Sequence, residues 1–538
     1  MLNAAPTAMS LALSVAVPFL VFGAVAWLVQ RGVIRIPPSI DASLSSSWAP
    51  RIAGALTAVF TLFVWGSFAE PGVVHDEQAY LLQARIFAGG HWTGPVPPLP
   101  EFFEQTHVFV EPHLAAKYPP GHSLLLVPGI WLGLAGLVPL ILSGVAGSLV
   151  FAIARRIGES TVALMTWALW STSAASLYWR ATYFSQSTSG VLWLLSLWAV
   201  LRWKAECRGY QLAIVFGALG WMYLTRPLTA IALGAPIIAF VLLVIWKRKL
   251  WRQLALPLAL VVPILLLNFV WQERTLGHWL TSPYAEYSRV YFPFVKPGFG
   301  VDPTPPLRRV PEIEWVGQQF IAYHAAHRPL ALPGILLQRV VSLLFTLGQQ
   351  WRGFLIMLFL AGAFRTRGPA RFGAISGLLL MAAYLAYAHP PAWIVYYAEI
   401  FPVFFYVASQ ELLRFGRTAM RLDASQLRSA SIVMVVLMTP FLASDLIEAR
   451  QVNDERSRFH RTAAKVLEAI PERPAVVFVH YPRNHNYHRS LIENAPDYRT
   501  APIWLVYDRG PANGRLLHLT DRVAYRLDTE TWKLERVR

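Results

Sequence analysis

Apolar runs separated by short polar segments recur along most of the chain, at about 9–29, 52–68, 138–154, 161–178, 185–201, 212–224, 228–246, 254–271, 335–363, 372–388, 392–413 and 431–446. A helix needs about 20 predominantly apolar residues to cross a bilayer, so the pattern predicts about twelve spans. Two long polar intervals interrupt it, at about 69–137 and 272–333. In the first, residues 75–88 have apolar positions at helical spacing and end on Gly89 and Gly90, which predicts a short amphipathic helix closed by glycine. The apolar stretch 123–134 is too short to span and is expected to lie in the interface. From about 448 the pattern becomes that of a soluble domain, with strands expected at 475–479 and 503–507 and a helix at 461–470. The expected architecture is mainly α: a polytopic membrane helix bundle over 1–447, then a small α/β domain over 448–538.

Composition agrees with this pattern. The chain is 55% hydrophobic and 14% charged, with mean hydropathy +0.43, whereas soluble domains carry roughly a quarter charged residues. The 21 Trp and 20 Tyr suit positions at the headgroup level. A net charge of +17 raises the question of nucleic acid. Position decides against it, because no basic motif with interleaved aromatics occurs. Instead Arg31, Arg35 and Arg51, then Arg155 and Arg156, then Arg202, Lys204 and Arg208, then Lys247, Arg248, Lys249 and Arg252 alternate with nearly uncharged loops. Arg365, Arg367, Arg371, Arg414, Arg417 and Arg421 continue the alternation. Short basic loops face the cytoplasm, which puts both termini, both long loops and the soluble tail outside. The first run has no Lys or Arg before it, unlike the basic start of a signal peptide, and is read as a retained span. The lone Cys207 excludes an intramolecular disulfide framework and a Cys-based zinc site.

The candidate chemistry lies in the first long loop. His75-Asp76-Glu77 follows directly on the second apolar run, and Lys117-Tyr118-Pro119-Pro120 comes some way downstream in the same loop. Ionisable groups at a membrane edge are rare and usually face a water-filled cavity or a partner. An acidic pair and a basic Pro-Pro motif in one external loop therefore suggest chemistry at the membrane surface. Asp76 also fits a simple helix-start acid, and Lys117 and Arg226 also fit headgroup anchors. His75, His107, His113 and His122 share the loop, but no two stand at i, i+4, and none is assigned as a metal ligand.

Asp76-Glu77, the interfacial helix behind it and Lys117-Tyr118-Pro119-Pro120 resemble the GT-C superfamily of membrane glycosyltransferases. The resemblance is to the branch of the protein O-mannosyltransferases and lipid A aminoarabinose transferases. Thr225-Arg226-Pro227 and Tyr396-Tyr397-Ala398-Glu399-Ile400-Phe401-Pro402 also resemble segments of bacterial members, so the likeness covers roughly 50–415. It implies a GT-C helix bundle that moves a sugar, with inversion, from a polyprenyl-phosphate donor to an external acceptor. Asp76 matches the family's general base, with Glu77 beside it, and Lys117 matches the cation that holds the leaving phosphate. Arg226 is the second phosphate candidate, and Tyr80, Tyr118, His122, Tyr396 and Tyr397 are candidate donor or acceptor contacts. The implied partners are a polyprenyl-phosphate-linked sugar, a lipid, glycan or protein acceptor, and the membrane, with no nucleic acid. A bacterial inner membrane with undecaprenyl phosphate is the expected setting.

The resemblance implies no required cofactor. Ala116 stands where the aminoarabinose transferases carry a glutamate, which removes a carboxylate suited to a metal, with Glu111 as the nearest substitute. No Gly-rich phosphate loop or Asp-x-Asp motif points to a nucleotide sugar. Two alternatives stay open: a ligase or polymerase of pyrophosphate-linked glycan, with Arg308 and Arg309 for the second phosphate, and a non-catalytic lipid or sugar transporter. The absence of a convincing internal repeat weighs against the last.

Overall fold

The computed structural model describes residues 8–68, 71–295, 297–348 and 351–537. The order begins with α1 (Ala8–Gln30), α2 (Pro38–Ser45), α3 (Ala49–Trp65) and α4 (His75–Ala88). A short antiparallel ladder, β1 (Val108–Phe109) and β2 (Ala115–Ala116), precedes α5 (Gly121–Trp131) and α6 (Leu137–Ile157). Next come α7 (Ser160–Thr172), α8 (Ala174–Arg180), α9 (Gln186–Glu206), α10 (Gly209–Thr225), α11 (Pro227–Arg248) and α12 (Ala255–Leu276). The second long loop holds α13 (Pro283–Tyr291) and α14 (Pro311–Ala326). The remaining helices are α15 (Leu332–Gly348), α16 (Arg352–Ala363), α17 (Gly368–Ala383), α18 (Phe401–Thr418) and α19 (Ala424–Glu468). The tail adds β3 (Ala475–His480), β4 (Ile503–Tyr507), α20 (Asn513–Leu517), β5 (Val523–Asp528) and β6 (Leu534–Arg536).

The protein is a mostly helical, multi-pass membrane protein. Among the described residues seven helices are long and apolar enough to span, or eight if α2 and α3, bent by 82°, act as one. The other expected spans form helices that are shorter, broken or more polar. The run 161–178 breaks at Ser173, whose ψ of 124° leaves the helical region between α7 and α8. It lies in Ser171-Thr172-Ser173, where short hydroxyl side chains compete for backbone partners. The run 335–363 is divided between α15 and α16. The run 392–413 begins as a 3-10 turn, Ile394–Ile400, before α18 starts with Pro402 in its first turn. The predicted interfacial and amphipathic segments appear as α5 and α4, with Gly89 capping the latter.

The end of the chain departs most from the expected layout. The span at 431–446 and the helix at 461–470 are one helix, α19, of 45 residues. Its start is fixed by a capping box: Asp423 accepts from the Ser425 and Gln426 amides at 2.8 Å, and Gln426 accepts from the Asp423 amide at 3.1 Å. The polar stretch after 447 has no Gly or Pro before Pro471, so nothing ends the helix at the expected domain boundary. The sheet beyond it has the order β4-β3-β5-β6, with β3, β4 and β5 parallel and β6 antiparallel to β5. β5 and β6 are strands that the sequence reading did not place.

A parallel sheet must be covered on both faces. Val477 and Val479 pack against the end of α19 through Ala463, Val466 and Leu467. Val476, Phe478 and Trp504 on the other face pack against Phe102 and Phe103 of the first long loop. The tail therefore folds onto the loop that carries Asp76. Beneath it, α3 and α6 approach closely at Gly54, where an added Cβ would lie 2.6 Å from the Gly144 carbonyl oxygen and 2.1 Å from Ser148 Oγ. Gly54→Ala is expected to destabilise the bundle by about 1–3 kcal/mol through this overpacking, seen as a lower melting temperature in detergent.

Candidate active site

The site is built on the first turn of α4, where a helix N-terminus favours anionic side chains. Neighbouring residues point about 100° apart on a helix, so Asp76 and Glu77 face different surroundings. Glu77 is buried, accepts from the Val73 amide at 3.2 Å, and forms an ion pair with the largely covered Arg456 of α19. Burial raises the Glu77 carboxyl, and the Arg456 guanidinium opposes that rise. Asp76 keeps 30% of its side chain exposed. Its Oδ1 accepts from the Tyr118 hydroxyl at 2.5 Å, and its Oδ2 lies 3.8 Å from His107 Nε2.

Lys117 is brought to Asp76 by the fold of the loop. Its amide bonds the His107 carbonyl at 3.0 Å, the Gln83 side chain on α4 holds the Tyr118 carbonyl at 2.9 Å, and Ser123 bonds the Tyr80 carbonyl at 3.1 Å. After the two prolines, Gly121 rests on the end of α10, and an added Cβ there would stand 2.8 Å from Leu224 backbone atoms. This close approach sets the Lys117 motif beside Arg226. The Lys117 ammonium lies over the rings of Tyr284, Tyr287 and Tyr118, at 4.5, 5.0 and 5.2 Å from their centroids. Burial pushes it down to about 8, with Asp76 pulling the other way.

A continuous path leads from Asp76 to Arg226. Tyr118 stacks on Tyr80 at 4.6 Å, the Tyr80 hydroxyl meets Ser185 Oγ at 2.9 Å, and Arg226 Nη1 lies 3.5 Å from the same oxygen. Arg226 also donates to the Tyr384 hydroxyl at 2.5 Å and sits 3.4 Å from Glu399, whose carboxylate accepts from Ser189 at 2.6 Å. Tyr396 leans on Tyr384 at 5.0 Å and on Tyr387 at 6.2 Å, and Tyr387 bonds Tyr284. Tyr397 instead lies fully buried in the helix core, with its hydroxyl 3.1 Å from His389 Nε2. His122 is also fully buried, with Nδ1 on Thr188 at 2.8 Å and Nε2 on the Tyr183 carbonyl at 2.7 Å, so both nitrogens are engaged. A cavity of about 50 Å³ opens against Glu399, walled by Leu142, Trp170, Trp179, Arg180 and Gln186.

The tail closes the outer side. Tyr487 and His488 stack on the His75 ring at 5.5 and 5.1 Å, and Gln78 reaches the Ser490 carbonyl at 2.9 Å. Arg85 pairs with Glu493 at 2.5 Å. Tyr507 donates to Glu312 of α14, a buried acid that desolvation raises to about 8. Glu111, the acid nearest to replacing the missing glutamate, is instead paired with Arg308, which also bonds Glu104 at 2.7 Å.

Several of these groups carried no signal in the sequence. Arg456 sits in an ordinary polar helix, and Tyr284 and Tyr287 lie in another loop. His75 and His107 meet only through the loop fold, where with Asp76 they offer ligand atoms all within 4.8 Å of one another. Glu399 stood inside the quoted Tyr-Tyr-Ala-Glu segment, and an acid in an apolar stretch next to a predicted phosphate arginine was the available clue.

No protein-family profile matches the sequence, and no curated protein matches it either. Solved structures show what the fold is similar to. In particular, the chain is similar to ArnT from Cupriavidus metallidurans bound to undecaprenyl phosphate, with a TM-score of 0.51 and 14% identity over 90% of this chain and 94% of that one. The apo ArnT structure gives the same TM-score and identity over 88% and 92%. The apo oligosaccharyltransferase of Archaeoglobus fulgidus aligns at TM-score 0.43 and 13% identity, over 79% of this chain and 59% of that one.

Removing one member of a buried ion pair leaves the other charge uncompensated, which costs about 3–5 kcal/mol. Arg456→Ala is expected to lose stability on that scale in a denaturation series, and Arg456→Ala/Glu77→Gln is expected to recover most of it.

Proposed function

We propose that the protein is an inverting glycosyltransferase that takes a sugar from a polyprenyl-phosphate carrier and places it on an acceptor hydroxyl outside the membrane. The observation that carries this reading is the half-open carboxylate of Asp76, with the Lys117 ammonium over the Tyr118 ring that bonds it and a path of Tyr118, Tyr80 and Ser185 leading to Arg226. Asp76 takes the proton of the acceptor hydroxyl as that oxygen attacks the anomeric carbon. The bond from that carbon to the phosphate oxygen breaks on the opposite face, and its electron pair leaves with the polyprenyl phosphate. The Tyr118 hydroxyl donates to the Asp76 carboxylate and orients it. Lys117 and Arg226 stabilise charge that grows on the phosphate in the transition state.

Glu77 serves this reaction as an anchor for α4, since its carboxylate is engaged by Arg456 and the Val73 amide. Tyr80, Tyr118 and Tyr396 line the path and contact donor or acceptor. The apolar and tryptophan walls beside Glu399 suit part of the carrier. A monophosphate carrier is favoured over a pyrophosphate one because Arg308 is already held by Glu104 and Glu111. A transporter is disfavoured because most charges cluster at helix ends. The site faces the periplasm or cell exterior of a bacterial inner membrane, and the tail covers it and takes part in acceptor choice. Sugar transfer itself needs no cofactor in this reading.

Release of free polyprenyl phosphate from a panel of polyprenyl-phosphate sugars in nanodiscs tests the proposal. Asp76→Asn is expected to lose about 10²–10⁴-fold in turnover, the range for a general base, while still binding donor. Equal turnover in both proteins would remove Asp76 from the mechanism. The pH profile gives a second check. Lys117 is an ammonium below its value of about 8 and loses its charge above it. Transfer is therefore expected to fall as pH rises through that point, and Lys117→Arg, which stays charged, to lose that limb.

A further inference from the structure

The two phosphate candidates reach the same short turn by separate routes. Arg226 donates to the Tyr384 hydroxyl at 2.5 Å. The Lys117 ammonium lies 4.5 Å from the ring centroid of Tyr284, whose hydroxyl bonds that of Tyr387. Tyr384 and Tyr387 both belong to the turn that ends α17, where Tyr384–Ala386 form a 3-10 segment. Arg339 of α15, a side chain that the transfer reading does not use, holds this turn from beneath. It is fully buried and donates from Nη1 to the Tyr384 carbonyl and from Nη2 to the Tyr387 carbonyl, both at 2.7 Å. We propose that Arg339 is a positioning residue: it sets the two tyrosine hydroxyls, and through them the placement of Arg226 and Lys117 against the carrier phosphate, a ligand whose identity rests on the transferase reading.

Electrostatics explains why an arginine stands there. A charged side chain inside an apolar run is costly and is kept where it has partners or a function. Arg339 lies within the run 335–363, and its guanidinium meets the carbonyl end of α17, where the helix dipole is negative. Nη2 also stands 3.4 Å from the His389 carbonyl. The second external loop grips the same turn. His327 Nε2 donates to the Leu385 carbonyl and the Gly298 amide to the Ala386 carbonyl, each at 2.8 Å. The consecutive carbonyls of 384–387 are thus all held, two of them by Arg339.

A peptide plane is rigid, and side chains leave the backbone in a few staggered directions. Fixing the planes at Tyr384 and Tyr387 therefore fixes where each phenol points. The planar fork of a guanidinium bridges two carbonyls in one set geometry, whereas an ammonium is a point charge on a flexible stem. Replacing the fork by an ammonium keeps the charge and loosens the turn.

The test measures binding of polyprenyl phosphate alone to the full chain in nanodiscs, so it requires no sugar transfer. Damage to the fold lowers the number of binding sites and leaves the affinity of the remaining ones unchanged, whereas a displaced turn weakens every site. Arg339→Lys is expected to bind about 10-fold more weakly, the scale of one misplaced hydrogen bond to a charged group. Tyr384→Phe/Tyr387→Phe is expected to show a similar loss. Adding Arg339→Lys to that pair is expected to cost little more, because the hydroxyls through which Arg339 acts are gone. His327→Ala frees only the Leu385 carbonyl and is expected to weaken binding in the same direction by a smaller factor. Wild-type affinity in Arg339→Lys, or a full additive loss in the triple variant, would overturn the assignment. If Arg339→Lys does not fold, wild-type affinity in His327→Ala overturns it instead. A wild type that binds the carrier without transferring a sugar would sink the transferase reading and leave Arg339 its role. A wild type that transfers sugar, with an affinity that Arg339→Lys does not change, would do the reverse, and no carrier binding by the wild type would end both.

Discussion

The buried pair of Glu77 and Arg456 is the contact on which the arrangement of the site depends. It joins the first turn of α4 to a residue almost four hundred positions later in the chain, on α19. Two charges removed from water are tolerated only while they neutralise each other. The pair therefore fixes where α19 runs relative to α4, and with it where the tail lies. Once Arg456 is in place, Gln78 meets Ser490 and His75 meets Tyr487 and His488. Asp76, one residue earlier, is left half-open, without an arginine partner among the described residues.

The interior of the site is lined mainly by tyrosines. Tyr118, Tyr80, Tyr284, Tyr287, Tyr384, Tyr387 and Tyr396 form its walls, and Asp76, Lys117, Arg226 and Glu399 bring charge to them. A phenol presents an apolar face and a hydroxyl that donates or accepts. It can meet a sugar, a prenyl chain or a phosphate oxygen without the desolvation cost of another ion. The Arg226–Glu399 pair follows the same logic at the far end, where the guanidinium is held in place and still borders Ser185.

Much of this was legible in the sequence. Hydropathy gave a polytopic helical bundle, because a bilayer demands long apolar runs and the chain supplies them. Asp76 and Lys117 stood out because ionisable residues beside such runs are costly without a purpose. The boundary at 447/448 had a real compositional cause, yet α19 crosses it, since helix continuity depends on the absence of breakers rather than on polarity. His122 was a candidate donor or acceptor contact, and both its ring nitrogens are engaged, by Thr188 and the Tyr183 carbonyl. Such engagement comes from long-range packing, which one-dimensional spacing does not encode. The same reason hides Arg456, which resembles its many solvated neighbours until the fold brings Glu77 to it.

The unbroken course of α19 has a mechanical consequence. From its Asp423 cap to Arg456 the helix advances about 50 Å at 1.5 Å per residue, beyond a hydrocarbon layer of about 30 Å. No break in the helix separates the lipid-embedded turns from the turns that grip Glu77, with Pro440 lying between them, and height above the membrane is measured out by this one rod. A thicker or thinner bilayer tilts or shifts such a rod, and the rod carries Arg456 with it. Lipid thickness thus becomes geared to the posture of the Asp76 turn, and the surrounding membrane acts as a structural component of the site.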